Sequence, residues 1–349
     1  MIPTSYSLLP LLSDTVQTAA PTVSTPLVVV EPPPFHKIIG QTSVKSRLNF
    51  YLSSYSAGGV MPHTLFLAPK GCGKTTIASE LARLLKRKGD SVAKKWFLIN
   101  CSTLRSVKQF FNQVIIPHVN EKDVTLIFDE ASEIPKDITM ALLTMLNPNE
   151  HNRTTFSYDD YTVDIEFDRQ TFVFATSESH RVFHALVDRL TKIELEEYNA
   201  GHIFQMLKKN APQLEDDAAA LMATVCRGNA RSTVMLAKDA QTLLATKRKD
   251  TFDLKDWQEL RAALGILPLG LSNIELSVLR LLSTRKESSL TRLSAATGLS
   301  KEALQKDVEL YLQKMGLLEI TTAGRSITGK GLEYLKALDG GFHNAIPIA

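Results

Sequence analysis

The sequence predicts an α/β fold: a phosphate-binding core on a parallel sheet, then a small helical domain, then a C-terminal winged helix. Three observations carry this prediction. From residue 35 to 195, apolar runs ("TLFLA", "KWFLINC", "VTLIFDE", "TFVFATS") alternate with helical stretches, the pattern of βαβ units. From 196 to 265 the strand signals stop and helical periodicity takes over ("IFQMLKKNA", "DDAAALMATVC", "STVMLAKDAQTLLATK"). From 266 to 338, after the break "GILPLGLS", the order is helix, helix, turn, helix and hairpin.

Composition bounds the rest. With 349 residues and 44% apolar content, the chain can bury a large core, and its length favours two or three domains. A net charge of +3 gives little global attraction to nucleic acid, so such a contact must come from local clusters. Cys72, Cys101 and Cys226 are widely spaced and form no C-x-x-C pair, which points away from disulfides and zinc knuckles. His180 and His184 stand at the i,i+4 spacing of a helical metal pair but lack a third ligand nearby, so they read as solvated or packing histidines. No apolar run approaches the roughly 18 residues of a membrane span, and the start is not that of a signal peptide. The expectation is a cytoplasmic chain with no membrane partner.

In chain order, residues 1–34 are rich in Ser, Thr and Pro and read as a disordered arm. "LFLAPKGCGKTTIASELARLL", residues 65–85, reads strand, glycine turn, helix. Gly71 and Gly73 let backbone N–H groups approach phosphate, with Cys72 between them contributing mainly backbone. Lys74 can neutralise phosphate charge, Thr75 can ligate Mg²⁺, and Thr76 completes the nucleotide-binding run. Ala68 stands where the G-x-x-x-x-G-K-[ST] pattern has its first glycine. "VTLIFDEAS" then ends a buried strand with Asp129, placed for the metal's outer shell, and Glu130, placed to polarise an attacking water. "TFVFATSE" ends in Thr176 and Ser177, small polar groups that can orient water.

Two arginines follow, Arg189 before an apolar strand and Arg231 at the start of a helix; a flat donor fork suits phosphoryl charge. In the last unit, two short amphipathic helices join through Gly298, with Ser300 as the N-cap of the second. "TTAGRSIT" places Arg325 in a turn between two wing strands. Residues 339–349 read as a flexible tail.

The order of phosphate loop, acidic pair, polar strand end, arginine and helical lid with its own arginine resembles the AAA+ ATPases. Within them, "FHKIIGQTSVKSRLNFYL", "PHTLFLAPKGCGKTT", "DRLTKIELEEY", "GNAR" and "LYLQKMGLLEITTAGRSIT" resemble the RuvB family of Holliday-junction branch-migration motors, over Phe35 to about Leu338. The family tolerates alanine at the first loop position. The resemblance implies ATP and Mg²⁺ as cofactors, with Lys74 and Thr75 as the Walker A pair, Asp129 and Glu130 as Walker B, and Thr176 as sensor one. It further implies Arg189 as a finger reaching a neighbour's nucleotide, Arg231 as sensor two, and Ile38, Ile39 and the residues to Gln41 as the lining of the adenine pocket. Arg325 would contact the DNA backbone. The partners implied are duplex or four-way junction DNA and further copies of the chain in a ring, expected to be hexameric.

Some stretches depart from that pattern. "DEAS" lacks the family's histidine, and "NCSTLRSVKQFF" is closer to clamp loaders. Residues 151–170 alternate like the hairpin by which RuvB docks RuvA, yet they are more acidic and polar, with Phe156 and Tyr158 as candidate anchors. Two other readings therefore stay open: a clamp-loader or helicase-loader ATPase, and a DNA-binding initiator or regulator switched by ATP. The charge of the last unit does not separate them, since residues 268–338 carry ten basic against seven acidic side chains.

Overall fold

A computed structural model describes residues 32–87, 92–147, 151–158, 161–285 and 287–340. Nearly all of the predicted N-terminal arm and C-terminal tail lies outside these residues. The chain forms strands β1 (Thr64–Leu67), β2 (Lys95–Asn100), β3 (Val124–Asp129), β4 (Arg153–Tyr158), β5 (Tyr161–Glu166), β6 (Gln170–Thr176) and β7 (Thr191–Glu194) before its helical half. Five of them build one sheet in the order β2-β3-β6-β1-β7, with every pairing parallel.

Continuous apolar runs form the inner strands because both faces of the sheet are covered. In β3 and β6, Leu126, Phe128, Phe172 and Phe174 face one core while Ile127, Val173 and Ala175 face the other. Phe128 and Phe174 stack with their ring centres 4.8 Å apart. Helices Thr42–Ser56 and Lys74–Leu84 cover the second face through Val44, Leu48, Ile77 and Leu81. On the first face lie the helix Lys136–Met145 and a helix over 107–118 whose middle turn, Phe111–Ile115, is a π-turn.

Register decides where the chemistry falls. Leu67 is level with Thr176, and Asp129 with Ala175, so β1, β3 and β6 end together at one rim of the sheet. The loops leaving that carboxyl rim carry the phosphate loop and the acidic pair, the usual place for a ligand in an open α/β sheet.

Four helices follow: Ala200–Asn210, Asp216–Val225, Ala230–Lys247 and Leu254–Ala263. Leu207, Met222, Ala237, Phe252 and Trp257 are buried among them in a separate core. Asn199, Asn229 and Asp253 cap three of these helices by accepting backbone N–H bonds.

The last unit contains Asn273–Ser283, Leu290–Thr297, a helix over 301–314, the strands β8 (Leu318–Ile320) and β9 (Arg325–Ile327), and Gly329–Asp339. Gly298 closes the second helix at φ 71, and Ser300 Oγ accepts the Ala303 N–H at 3.1 Å. The antiparallel β8–β9 pair is the wing.

The structure corrects two local expectations. Arg325 is not in the turn. It opens β9 and exchanges backbone bonds with Ser288 on its other side, both 2.9 Å, while Thr321 to Gly324 make the reversal. His180 and His184 do not share a helix: His180 lies in a 3₁₀ turn, and His184 starts a separate short helix, where it bonds Asp188 at 2.9 Å. Among the described residues no group of three metal-ligating side chains is present, and no single helix is long and apolar enough to cross a membrane.

Candidate functional site

A cavity of about 630 Å³ opens between the carboxyl rim of the sheet and the helix Ala230–Lys247. Gly71, Gly73, Lys74, Thr75, Thr76, Asp129, Glu130, Thr176 and Arg231 all line it. Sequence positions more than 150 apart thus meet around one space.

The phosphate loop is shaped by two glycines in left-handed conformations, Gly71 at φ 82 and Gly73 at φ 86. A Cβ on Gly71 would stand 2.3 Å from the Asn229 side chain, so no larger residue fits without displacing it. Ala68 is not among the left-handed residues of the described chain, which explains why its position accepts a side chain. Cys72 is buried, and that burial pushes its thiol upward, away from thiolate chemistry. It does not line the cavity.

Lys74 opens the helix Lys74–Leu84, and its Nζ donates to the carbonyls of Ala68 at 2.7 Å and Pro69 at 3.0 Å. Burial, with the Arg231 charge adding to it, holds this ammonium below the usual lysine range. Phosphate oxygens would favour the charged form. Thr75 Oγ1 donates to Asp129 Oδ2 at 3.0 Å. Two hard oxygen ligands side by side fit a magnesium ion, which also takes oxygens from phosphate and water.

Glu130 adopts φ 56, and its backbone N–H donates to Asp129 Oδ1 at 3.1 Å. A left-handed glutamate is strained, and here it lifts the side chain off the strand into the cavity. Its carboxylate accepts no hydrogen bond from the described residues and stays available to a water. Thr176 is 1% exposed, and its Oγ1 accepts the Glu178 N–H at 3.0 Å.

Other predicted residues lie elsewhere. Arg189 is exposed, donates to the Ala185 carbonyl at 2.8 Å and does not line this cavity. Ile38 and Ile39 do not line it either: Ile38 packs on the sheet core and Ile39 on the helical core, bridging the two. Gln41 fixes that bridge by exchanging bonds with the Glu196 backbone at 2.7 and 2.9 Å.

Arg325 meets Glu309 in a bidentate pair at 2.8 and 3.1 Å, with side chains 14% and 3% exposed. Its guanidinium is therefore engaged inside the wing, not presented to solvent. Phe156 and Tyr158, the candidate docking anchors, stack instead on Phe111 with ring centres 5.2 and 5.1 Å away.

Sequence reasoning missed Asn229, which caps the helix Ala230–Lys247 and donates to the Lys70 carbonyl at 3.1 Å. It also missed Lys70 and Lys238, which line the cavity. The cap position before "ARST" was a readable signal for Asn229. A lysine two turns into a lid helix gave none.

Two family models match the chain: "ATPase family associated with various cellular activities (AAA)" over residues 64–198 and "RuvB C-terminal winged helix domain" over 268–336. The chain is a RuvB-like AAA+ ATPase. A Holliday junction branch migration complex subunit RuvB from Mycoplasmopsis pulmonis is 25% identical over 336 residues, covering 88% of this chain and 98% of the relative. The Thermotoga maritima protein of the same name is 26% identical over 329 residues, covering 88% and 92%. A solved Thermotoga maritima RuvB point mutant superposes with a TM-score of 0.70 at 25% identity, covering 88% of this chain and 99% of that one. The AAA match spans both the lysine and threonine of the loop and the acidic pair across the cavity from them.

Proposed function

We propose that the chain is an ATP-driven DNA motor that migrates four-way junctions, acting in the cytoplasm as a homo-oligomeric ring, expected to be a hexamer. The observation that carries this reading is likeness to RuvB along 88% of the chain, through nucleotide core and winged helix alike. The packing agrees with a division into a core over 35–195, a lid over 196–265 and a winged helix over 266–338, because each has its own buried cluster.

Each site residue then has a task. Gly71 and Gly73 present backbone N–H groups to phosphate, Lys74 supplies the compensating charge, and Thr76 follows at the start of the helix. Thr75 and Asp129 would hold Mg²⁺, whose part is to neutralise charge on the phosphate oxygens. Glu130 accepts a proton from the attacking water at its free carboxylate, and Thr176 orients that water. Arg231 braces the phosphates from the lid, while Arg189, facing away from its own cavity, serves a neighbour's site. A RuvA-like partner would meet the polar outer face of the β4–β5 hairpin, since the aromatics are turned inward.

The test uses a labelled four-way junction with ATP and Mg²⁺. The chain, with or without a junction-binding partner, should convert it to two duplexes, and Glu130→Gln should not. Hydrolysis that responds to DNA while the junction stays intact would instead favour the loader reading.

A further inference from the structure

The loop between the helices Asp216–Val225 and Ala230–Lys247 touches two parts of the molecule at once. On one side it grips the phosphate loop: Asn229 Nδ2 donates to the Lys70 carbonyl at 3.1 Å, and the Arg231 backbone N–H to the Gly71 carbonyl at 3.3 Å. On the other it reaches the winged helix. The two terminal nitrogens of Arg227 donate to the two carboxylate oxygens of Glu275 at 3.1 and 2.9 Å, and the guanidinium lies 3.3 Å from the centre of the Tyr311 ring.

This is no loose surface pair. Glu275 is 1% exposed, and its carboxylate also accepts the Ser272 N–H at 2.7 Å, closing the cap of the helix Asn273–Ser283. A carboxylate removed from water requires a well-formed partner, and only a flat guanidinium can bond both oxygens while stacking on a ring.

Little slack exists on either side of the pair. Arg227 and Gly228 are both left-handed, φ 55 and 68, and a Cβ on Gly228 would stand 2.8 Å from the Tyr198 carbonyl oxygen. In the linker to the wing, a Cβ on Gly270 would stand 2.1 Å from the Val225 carbonyl oxygen. Tyr311 and Tyr334 donate their hydroxyls to the Leu269 and Pro268 carbonyls at 2.6 and 3.0 Å.

We infer that the Arg227–Glu275 pair is a positioning contact that makes the winged helix follow the lid, so that nucleotide arriving at the phosphate loop displaces the wing. Its use in moving DNA rests on the motor reading above; the linkage itself does not. A shift of the lid at Asn229 and Arg231 reaches Arg227 within a few residues, and the two-oxygen pair hands it to the helix that Glu275 caps.

The test uses the full chain with dyes on Lys95→Cys in the sheet and Lys336→Cys in the last helix; the three native cysteines are buried and leave labelling to the introduced sites. Glu275→Gln keeps an acceptor for Ser272 but removes the charge. Arg227→Lys keeps the charge but removes the fork, and it carries the test if the first variant melts early. ATP with Mg²⁺ should change the inter-dye distance in the parent chain, and both variants should lose most of that change. Their DNA-free hydrolysis should stay within about twofold of the parent, while any stimulation by duplex DNA disappears. Full distance changes in both variants would overturn the inference. So would a parent chain with no change, or a DNA-free rate that falls as far as the stimulated one, since the contact would then be merely structural. Dyes that respond to ATP in a parent chain whose hydrolysis ignores DNA would sink the motor reading and leave the linkage standing.

Discussion

At the scale of single residues, the proposed roles separate binding from turnover. Lys74 is proposed to carry the loop's charge, and among the described lining residues Glu130 is the acid without a bonded side-chain partner. Lys74→Ala should weaken ATP binding at least tenfold, measured by titration with a fluorescent analogue. Glu130→Gln should retain that binding and hydrolyse about 10²-fold more slowly or worse. A glutamine variant turning over at the parental rate would exclude Glu130 as the base. That these residues would meet around one cavity was legible from the sequence, because phosphate and metal chemistry asks for such residue types at such spacing. Arg325 was not. An arginine beside a glycine in "AGRS" looks like a solvated turn, and nothing in that stretch announces Glu309, sixteen residues earlier and buried. Arg325→Ala should therefore act first on stability, leaving a buried carboxylate unpaired at a cost of about 3–5 kcal/mol, read as a fall in the wing's urea midpoint. If stability is unchanged and only DNA affinity drops, the pair does not hold in solution.

At the scale of elements, the β4–β5 hairpin shows how alternation can be read correctly and its facing still missed. The alternation in "RTTFSY" and "YTVDIE" was evident, but which face would be buried depended on a helix forty residues upstream. Phe111 lies in the π-turn of that helix and takes both aromatics. The other face is a ladder of polar pairs, Thr155 to Asp164 at 2.6 Å and Ser157 to Thr162 at 3.1 Å. Phe156→Ala should thus cost about 1–3 kcal/mol of core stability by thermal melting. A loss of partner binding at unchanged stability would restore Phe156 as an anchor.

The start of β1 offers a pH test. His63 is buried with its ring edge-on to Phe167 and Phe172, accepts the Phe172 N–H on Nδ1 at 3.1 Å, and is held neutral, its pKa pushed down by burial to about 3. A base with a depressed folded-state pKa binds its proton more readily in the unfolded chain. The stability it allows is whole above the unfolded value of 6.5 and drains away as pH falls from there towards 3. The loss from this group should approach about 1.4 kcal/mol per pH unit below that point. His63→Gln should flatten that part of the curve; an unaltered slope between pH 6 and 4 would place its origin elsewhere.

At the scale of the whole molecule, Arg189 makes the ring testable. Its side chain bonds back to Ala185 in the short helix before it and does not line its own cavity, so Arg189→Ala should bind ATP yet hydrolyse it slowly. Mixed with Lys74→Ala subunits it should regain activity, because some interfaces then combine an intact loop with an intact arginine. No regain at any ratio, with mixed assembly verified, would argue against shared sites. The switch from strands to helices after β7 was legible from where strand signals stop and helical periodicity begins. The packing of Ile38 and Ile39 was not, since a half-buried isoleucine carries no mark of which neighbour it will touch.

The strand order also has a consequence for how the chain comes to be folded as it is made. β1 pairs only with β6 and β7, strands synthesised about a hundred residues later. The fully buried Leu65 and Phe66 should therefore wait, apolar and unpaired, at a stage when β2 and β3 are both made and free to pair. A nascent chain stalled before residue 170 would hold the complete phosphate-loop sequence with no sheet to seat it. Such an intermediate should be sticky, prone to chaperone capture and unable to retain nucleotide. Nucleotide retention by stalled chains of increasing length should then appear only after β6 and β7 have been made, marking the moment when the first strand of the core finds its place.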